Sequence, residues 1–417
     1  MTNDLQFGFK ENHSTTQCSF VLREVIQHYV SKGSQCYVTF LDASKAFDRV
    51  DYIKLFELLI KRGLCPSIAK LLLNMYSRQR LRVNWNSKSS ECFACTNGVK
   101  QGAVLSPLLF CLYFDELIMR LSKSQVGCHI GHHYVGALSY ADDITLLSPS
   151  LSAAQKMMDV CQSFAQDYSV LFNPSKSGYL VFNEPPCHVD LKLNGAPLSK
   201  SECIKHLGCY IGTNSNNRNV NLACSNIKSR TNVIMSKFGS CTAETRNVLF
   251  KAYCTDNFGS PLWSLRSKDI DSFYCAWRKC IRRLWKLNYR TRSYHLPTVA
   301  ECLPIREQML KRFLHFFIKS INSTNKVVST VSRLCEHSHS TVAANVRTVM
   351  SYANFNNDVI FNKDDGTSKL LCEFKFDMFV HEGSSLIREL CLVRDGMYDL
   401  HLNEDEVISI IDYVCTT

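Results

Sequence analysis

The chain reads as an α+β region over residues 1–212 followed by a basic, mostly helical one. Two observations predict this. Up to residue 212, short β-rich runs alternate with amphipathic helical stretches. From residue 213 the strands stop, and helical periodicity continues with clustered Lys and Arg over 213–320. The elements of residues 321–417 are short and define no clear architecture. At 46% hydrophobic and 20% charged residues, the composition is globular and excludes a disordered, collagenous or coiled-coil chain.

Taken in order, residues 14–30 predict a helix capped by Ser14 or Thr15, with Val21, Leu22, Val25 and Ile26 on one stripe. Cys36 to Leu41 is a buried strand that runs into Asp42. Helices follow at 52–62 and 66–77. Leu81 to Trp85 alternates as a strand, with Glu91 to Cys95 as its hairpin partner. After the loop Gly98 to Ala103 comes an apolar helix, Leu105 to Leu121, with Ser106 as cap and Pro107 at its first position. Tyr134 to Tyr140 and Ile144 to Leu147 are strands joined through Ala141-Asp142-Asp143. Ser152 and Gln155 have the spacing of a capping box before a stripe of Ala154, Met158, Cys161, Ala165 and Tyr168. Short strands at Leu180 to Phe182 and His206 to Ile211 precede the polar loop Thr213 to Asn217. Helices are predicted at 219–237, 243–256, 269–286 and 304–320.

Charge is distributed unevenly. The chain carries 48 basic and 37 acidic side chains, net +11. Residues 351–417 hold 5 basic and 13 acidic, which leaves +19 for residues 1–350. A basic body of this kind suits a polyanionic partner, nucleic acid first. No apolar run approaches the ~20 residues a membrane helix needs, and the N-terminus has no signal-peptide pattern. The expectation is an intracellular protein without a membrane partner. The 21 cysteines then read as reduced thiols, since the lone Cys92-Phe93-Ala94-Cys95 pair has no zinc-spaced counterpart.

Two acidic sites carry the chemistry. Asp42 ends a hydrophobic strand, and Asp142-Asp143 sit in a tight turn between two more. Carboxylates at strand ends are costly to desolvate unless a cation or hydrogen-bond donors offset the cost. Neighbouring residues on a strand diverge, so one of Asp142 and Asp143 would face Asp42 if the strands are adjacent. Convergent carboxylates suit Mg²⁺; unrelated turn aspartates are the alternative reading.

The flanking residues select between them. Phe40-Leu41-Asp42-Ala43-Ser44-Lys45-Ala46-Phe47-Asp48, then Asn97 to Phe110 with Gln101-Gly102 and Ser106-Pro107, then Tyr140-Ala141-Asp142-Asp143 stand in this order. They resemble motifs A, B and C of reverse transcriptases, most of all those of non-LTR (LINE-like) retrotransposons. Gln6-Phe7-Gly8-Phe9 with His13 to Thr16 is similar to the segment before motif A, Phe172 to Ser177 to motif D, and His206-Leu207-Gly208 to motif E.

This resemblance implies a right-hand polymerase: partial fingers and palm over 1–212, a basic helical thumb over 213–320, and a C-terminal extension of unknown role over 321–417. It implies RNA-directed DNA synthesis, with an RNA template, a DNA primer and dNTPs as partners. Asp42 and Asp142, with Asp143 alongside, would hold two Mg²⁺ ions, for which Mn²⁺ substitutes. The backbone of Ala43 would meet the triphosphate. Phe47 would be the aromatic gate under the sugar; by itself it reads as an ordinary core residue. Gln101 and Gly102 would pack on the incoming nucleotide and template base, and Lys176 would contact phosphate, unless it is a solvated loop lysine. Lys45 and Asp48 read as structural, and His206 to Tyr210 as a primer-grip hairpin. The family also carries a basic fingers segment before the Gln6 block, where only five residues stand here. A truncated, inactive remnant that binds nucleic acid is therefore the alternative function. The element class copies at nuclear DNA, which implies a ribonucleoprotein in nucleus and cytoplasm.

Between Arg278 and Arg292 lie seven basic residues and no acid: Arg278, Lys279, Arg282, Arg283, Lys286, Arg290 and Arg292. They are the candidate nucleic-acid contacts. Trp277, Ile281, Leu284 and Trp285 share one helical face, so the tryptophans read as core.

Overall fold

Ser14 starts the first helix. Its Oγ accepts the Gln17 amide at 3.2 Å while Gln17 Oε1 accepts the Ser14 amide at 3.1 Å, a reciprocal capping box. Helix α1 spans Thr15–Ser31. The computed structural model describes residues 3–186, 190–255 and 257–352. Residues 353–417, most of the expected C-terminal extension and its acidic run, lie outside the described residues.

The described residues fall into two units: 3–207 with 323–331, and 208–322 with 332–352. In the first, α1 is followed by strand β1 (Cys36–Leu41), helices α2 (Tyr52–Lys61) and α3 (Pro66–Ser77), and the strands β2 (Arg80–Leu81), β3 (Asn84–Trp85), β4 (Lys88–Ser89) and β5 (Phe93–Ala94). The last four make a hairpin arm, β2 pairing β5 and β3 pairing β4, so Leu81 pairs within the expected partner but Asn84 and Trp85 pair with Lys88 and Ser89 instead of residues 91–95. Helix α4 (Ser106–Ser124) leads through β6 (His129–Ile130) and β7 (His133–Tyr134) to β8 (Ala137–Tyr140) and β9 (Asp143–Ser148). Helix α5 (Leu151–Asp167), β10 (Gly178–Phe182), β11 (Lys192–Leu193), β12 (Ala196–Pro197), β13 (Ser199–Lys200) and β14 (Cys203–His206) complete it.

The main sheet has the order β13-β10-β1-β9-β8. Strand β1 is central, antiparallel to β9 and β10, and every one of its six residues is buried. That explains its largely apolar run: neither face of β1 is open to solvent, and α1 and α5 are among the helices that touch it.

Three predicted helix starts differ from those observed, one of them the helix expected over 219–237, which begins at Ser215, inside the expected loop Thr213 to Asn217. Ser150, not Ser152, caps α5, its Oγ accepting the Ala153 amide at 3.2 Å. Gln155 instead brackets the Lys192 backbone with two 3.0 Å bonds, so its side chain serves the β11 contact. Ser106 is the first helical residue of α4 rather than its cap; Leu105 holds the cap position without a side-chain bond.

The second unit begins with β15 (Cys209–Gly212) and continues with α6 (Ser215–Phe238), α7 (Ala243–Tyr253), α8 (Asp269–Leu284), α9 (His295–Val299) and α10 (Ile305–Ile321). Helices α6 and α8 lie along one another, and Val220, Ile227, Phe250, Trp263, Phe273, Trp277, Ile281 and Leu284 share one core. Fully buried Arg246 ties the ends of α6 and α8 to the turn before α7: its guanidinium donates to the carbonyls of Leu284 (2.8 Å), Gly239 (3.2 Å) and Cys241. Helix α11 (Lys326–Leu334) straddles the division between the units, and α12 (Thr341–Tyr352) ends the described chain. At the start of α11, Asn325 Nδ2 donates to the Asp4 carbonyl at 2.7 Å, within the first unit.

Candidate active site

The sheet brings the three acidic residues to one end. Strand β1 pairs with β9 so that Leu41 meets Ile144, and one further step places Asp42 opposite Asp143. Strand β8 pairs with β9 at Tyr140 and Asp143, which leaves Ala141 and Asp142 as a two-residue turn. Ala141 has φ +58° and Asp142 does not share the positive sign, the pattern of a type II′ turn. Glycine is preferred at that first position, so alanine is held there against its own preference.

Electrostatics agree with the register. Asp143 is pushed up from 3.8 to about 6, first by burial and then by the charges of Asp142 and Asp42. Asp142 is raised as well, by burial and by Asp42, against a hydrogen bond to its own backbone that favours its charged form. Three carboxylates on neighbouring strands thus repel one another in a half-buried setting. Among the described residues they are not drawn into a closed cluster of three metal ligands. An all-oxygen set in which charge raises two members suits a hard divalent cation, which would relieve the repulsion.

The segment after α5 clamps Asp42. Its carbonyl accepts the Asn173 amide at 2.9 Å, and its amide donates to Ser177 Oγ at 3.1 Å. Ala43 bridges Phe172, and Ser44 donates to the Leu171 carbonyl at 2.8 Å. Lys176 lies in that clamp, in a turn closed by Ser177 N–H on the Asn173 carbonyl at 3.0 Å, with its side chain exposed.

A second set of bonds fixes the glutamine-glycine loop. The Phe47 carbonyl accepts the Val99 amide and the Val50 carbonyl accepts the Gly98 amide, both at 2.8 Å. Gly98 has φ +85°, and a Cβ there would meet the Asp48 backbone at 2.9 Å, so only glycine fits. Gln101 and Gly102 follow as an exposed turn. The Phe47 ring stacks on Phe110 at 4.2 Å and 9°, and Phe9 meets its edge at 6.2 Å. Motif spacing alone does not reveal these clamps: Asn173, Ser177 and Gly98 lie inside the quoted blocks, but the sequence assigns them no role.

Residues 1–211 match the reverse transcriptase (RNA-dependent DNA polymerase) family, just over half of the chain. The chain belongs to the reverse transcriptase family. Its relatives include proteins of retrotransposable elements and transposons. It is 27% identical over 208 residues to the Retrovirus-related Pol polyprotein from type-2 retrotransposable element R2DM of Drosophila melanogaster, covering 50% of this chain and 18% of that protein. It is 30% identical over 227 residues to the probable RNA-directed DNA polymerase from transposon X-element of the same species, covering 51% and 23%. The chain therefore spans about a fifth of the length of these curated relatives. Among solved structures, apo telomerase from Candida tropicalis overlaps 86% of this chain and 57% of its own at 12% identity, with a TM-score of 0.39. Membership of the reverse transcriptase family rests on the sequence match, not on that superposition.

In the second unit, α8 separates its faces as the periodicity predicts. Trp277, Ile281 and Leu284, with Trp285 just beyond, are buried, whereas Lys279, Arg283, Lys286, Arg290 and Arg292 are exposed. Arg278 and Arg282 are half-buried. Arg282 donates to the Thr291 carbonyl at 2.7 and 3.1 Å and to Ser293 Oγ at 3.1 Å, closing the loop after α8. Arg283 donates to Asn232 Oδ1, and Arg290 lies over the exposed Tyr289 ring at 5.4 Å. No described helix is long and apolar enough to cross a membrane.

Proposed function

We propose that the chain carries out RNA-directed DNA synthesis, extending a primer 3′ end with dNTPs on the RNA of a non-LTR retrotransposon. The observation that supports this most directly is the opposition of Asp42 and Asp143 beside Asp142, with burial and mutual charge raising the last two. In this reading Asp42, Asp142 and Asp143 hold two Mg²⁺ ions, and Mn²⁺ substitutes. Bound there, the metals would activate the primer hydroxyl and offset charge on the triphosphate.

The chain's own residues supply position. The Ala43 backbone, held by its bridge to Phe172, presents its peptide to the triphosphate. Phe47, braced by Phe110, limits room beside the sugar and so favours deoxyribonucleotides. Gln101 and Gly102, on a loop tied to Phe47 through Val99, lie against the nucleotide and template base. Lys176 contacts phosphate. We assign residues 1–212 to the palm with part of the fingers and 213–320 to the thumb, with 321–417 as an extension. The exposed faces of Lys279, Arg283, Lys286, Arg290 and Arg292 follow the hybrid backbone, while Arg278 and Arg282 support them. Work on such an RNA would place the chain in cytoplasm and nucleus as a ribonucleoprotein.

The test is primer extension on poly(rA)/oligo(dT) with Mg²⁺ and dTTP. Extension that Asp142→Ala abolishes is the expected result. No extension alongside salt-sensitive hybrid binding would replace the reading with a remnant that only holds nucleic acid.

A further inference from the structure

Gln6 is the one polar residue of the Gln6-Phe7-Gly8-Phe9 segment, and it is 0% exposed. A buried primary amide is unfavourable unless its donors and acceptor are satisfied. Here they are satisfied by the aspartate turn itself. Gln6 Oε1 accepts the Ala141 amide at 3.1 Å and the Gly8 amide at 2.8 Å. Gln6 Nε2 donates to Ser139 Oγ at 3.0 Å, and that hydroxyl donates to the Ala141 carbonyl at 3.0 Å. Both backbone polar groups of Ala141 therefore end in one network centred on Gln6.

The main chain continues the strap. Phe7 N–H donates to the Ser139 carbonyl at 2.7 Å and Ser139 N–H to the Leu5 carbonyl at 2.9 Å, so residues 5–7 run beside β8. Gly8 then lies flat against the turn. A Cβ on Gly8 would stand 2.4 Å from the Ala141 nitrogen and 3.2 Å from the Ala141 Cβ, and the turn would have to move. Ala141 is also the residue held at φ +58°, next to Asp142 and two from the residue opposite Asp42. A strained turn persists only where its surroundings over-determine it.

The geometry points to Gln6 as a positioning residue, with Gly8 its close-packed support: together they brace the Ala141-Asp142-Asp143 turn and preset its carboxylates for a divalent cation. Touching neither metal nor substrate, Gln6 acts through the Ala141 backbone, as outer-shell groups orient ligands elsewhere. This rests on the reading of the aspartates as metal ligands, so the deciding measurement needs no polymerisation.

Amide hydrogen exchange is followed in the metal-free chain for wild type, Gln6→Leu, Gln6→Glu and Gly8→Ala. Residues 141–143 should exchange about tenfold faster or more in Gln6→Leu and Gly8→Ala, with the amides of β10 as unchanged internal reference. Gln6→Glu keeps an acceptor for Ala141 and Gly8 and should recover much of the protection. Mn²⁺ binding, read by electron paramagnetic resonance, should weaken about 10-fold or more in Gln6→Leu and less in Gln6→Glu. Where the wild type extends primers, kcat should fall in parallel while KM for dTTP stays near its wild-type value. Unchanged exchange at 141–143 in both Gln6→Leu and Gly8→Ala overturns the brace. So does equal loosening of β10 in Gly8→Ala and Gln6→Glu, which would make the residues merely structural. A looser turn with Mn²⁺ affinity and kcat intact overturns the positioning role. A wild type that neither extends primers nor binds Mn²⁺ overturns the metal-site reading and the presetting with it, while exchange still decides whether the brace exists.

Discussion

Asp143 stands opposite Asp42, one register step beyond the Leu41–Ile144 pair, and its carboxyl is raised to about 6 by burial and by Asp142 and Asp42. The two residues lie far apart in sequence and share one end of the sheet because β1 is paired by β9. Their opposition is unfavourable in the metal-free protein, and its sign has measurable consequences.

The first concerns pH. A carboxyl raised from 3.8 to about 6 in the fold holds its proton longer than in the unfolded chain. Its contribution to stability is complete below 3.8 and is lost as pH rises through about 6. Metal-free Tm of the wild type should therefore fall across that interval relative to Asp143→Asn, in which the difference disappears. Mn²⁺ affinity should rise over the same interval and level off above it, as the competing proton is displaced. An affinity flat with pH would contradict the placement of Asp143.

The second concerns the other two carboxylates. Asp42→Ala and Asp142→Ala should each lower Mg²⁺-dependent dTTP incorporation by about a hundredfold or more. Because the Asp142 carboxylate is penalised by burial and by Asp42, its removal should leave metal-free Tm unchanged or higher. Calorimetry beside the extension assay checks both signs.

For Phe47, the stack on Phe110 makes one substitution act on two properties, packing and nucleotide choice. Phe47→Ala should cost about 2 kcal/mol of stability, less than a fully buried phenylalanine. It should also raise rNTP incorporation relative to dNTP by about tenfold or more. Denaturant unfolding and paired nucleotide assays separate the two; unchanged discrimination would leave Phe47 as core alone.

The basic residues after Trp277 divide by what their side chains already touch. Replacing exposed Lys279 and Arg292 together by Gln should reduce the salt dependence of hybrid binding, by about 0.7 to 0.9 in slope for each phosphate no longer neutralised, with little change in Tm. Arg282→Gln should do the reverse, since Arg282 holds the Thr291 carbonyl and Ser293. Binding titrations over a salt series decide it.

Arg246 predicts the largest purely structural effect. Arg246→Leu would strip donors from the buried carbonyl of Leu284 and the half-buried carbonyls of Gly239 and Cys241, and should destabilise by about 3 kcal/mol or more. A Tm shift below that of a surface substitution would mean the helix ends find other donors.

Much of the fold is legible in the residues because the signals are local. The β1 run from Cys36 to Leu41, helix α3 from Pro66 to Ser77 and the Ser14 capping box need only neighbouring residues to be recognised. The buried face of α8 follows from helical spacing in the same way. The misplaced cap of α5 shows the limit: Ser152 and Gln155 have the right spacing, but Gln155 is taken by Lys192, 37 residues away. Nothing within the helix reports that competitor.

Sequence alone thus determined which residues carry charge, where the strands end, and that Asp42, Asp142 and Asp143 stand at those ends. Only the tertiary structure decided how the turn is held. Gln6 on Ala141, Ser177 and Asn173 on Asp42, and Gly98 on Asp48 are contacts made by elements that meet only after the sheet has closed. Periodicity says which face of an element is apolar. It cannot say which distant polar atom will satisfy a buried amide, because that choice depends on register and close approach between strands, which exist only in the folded chain.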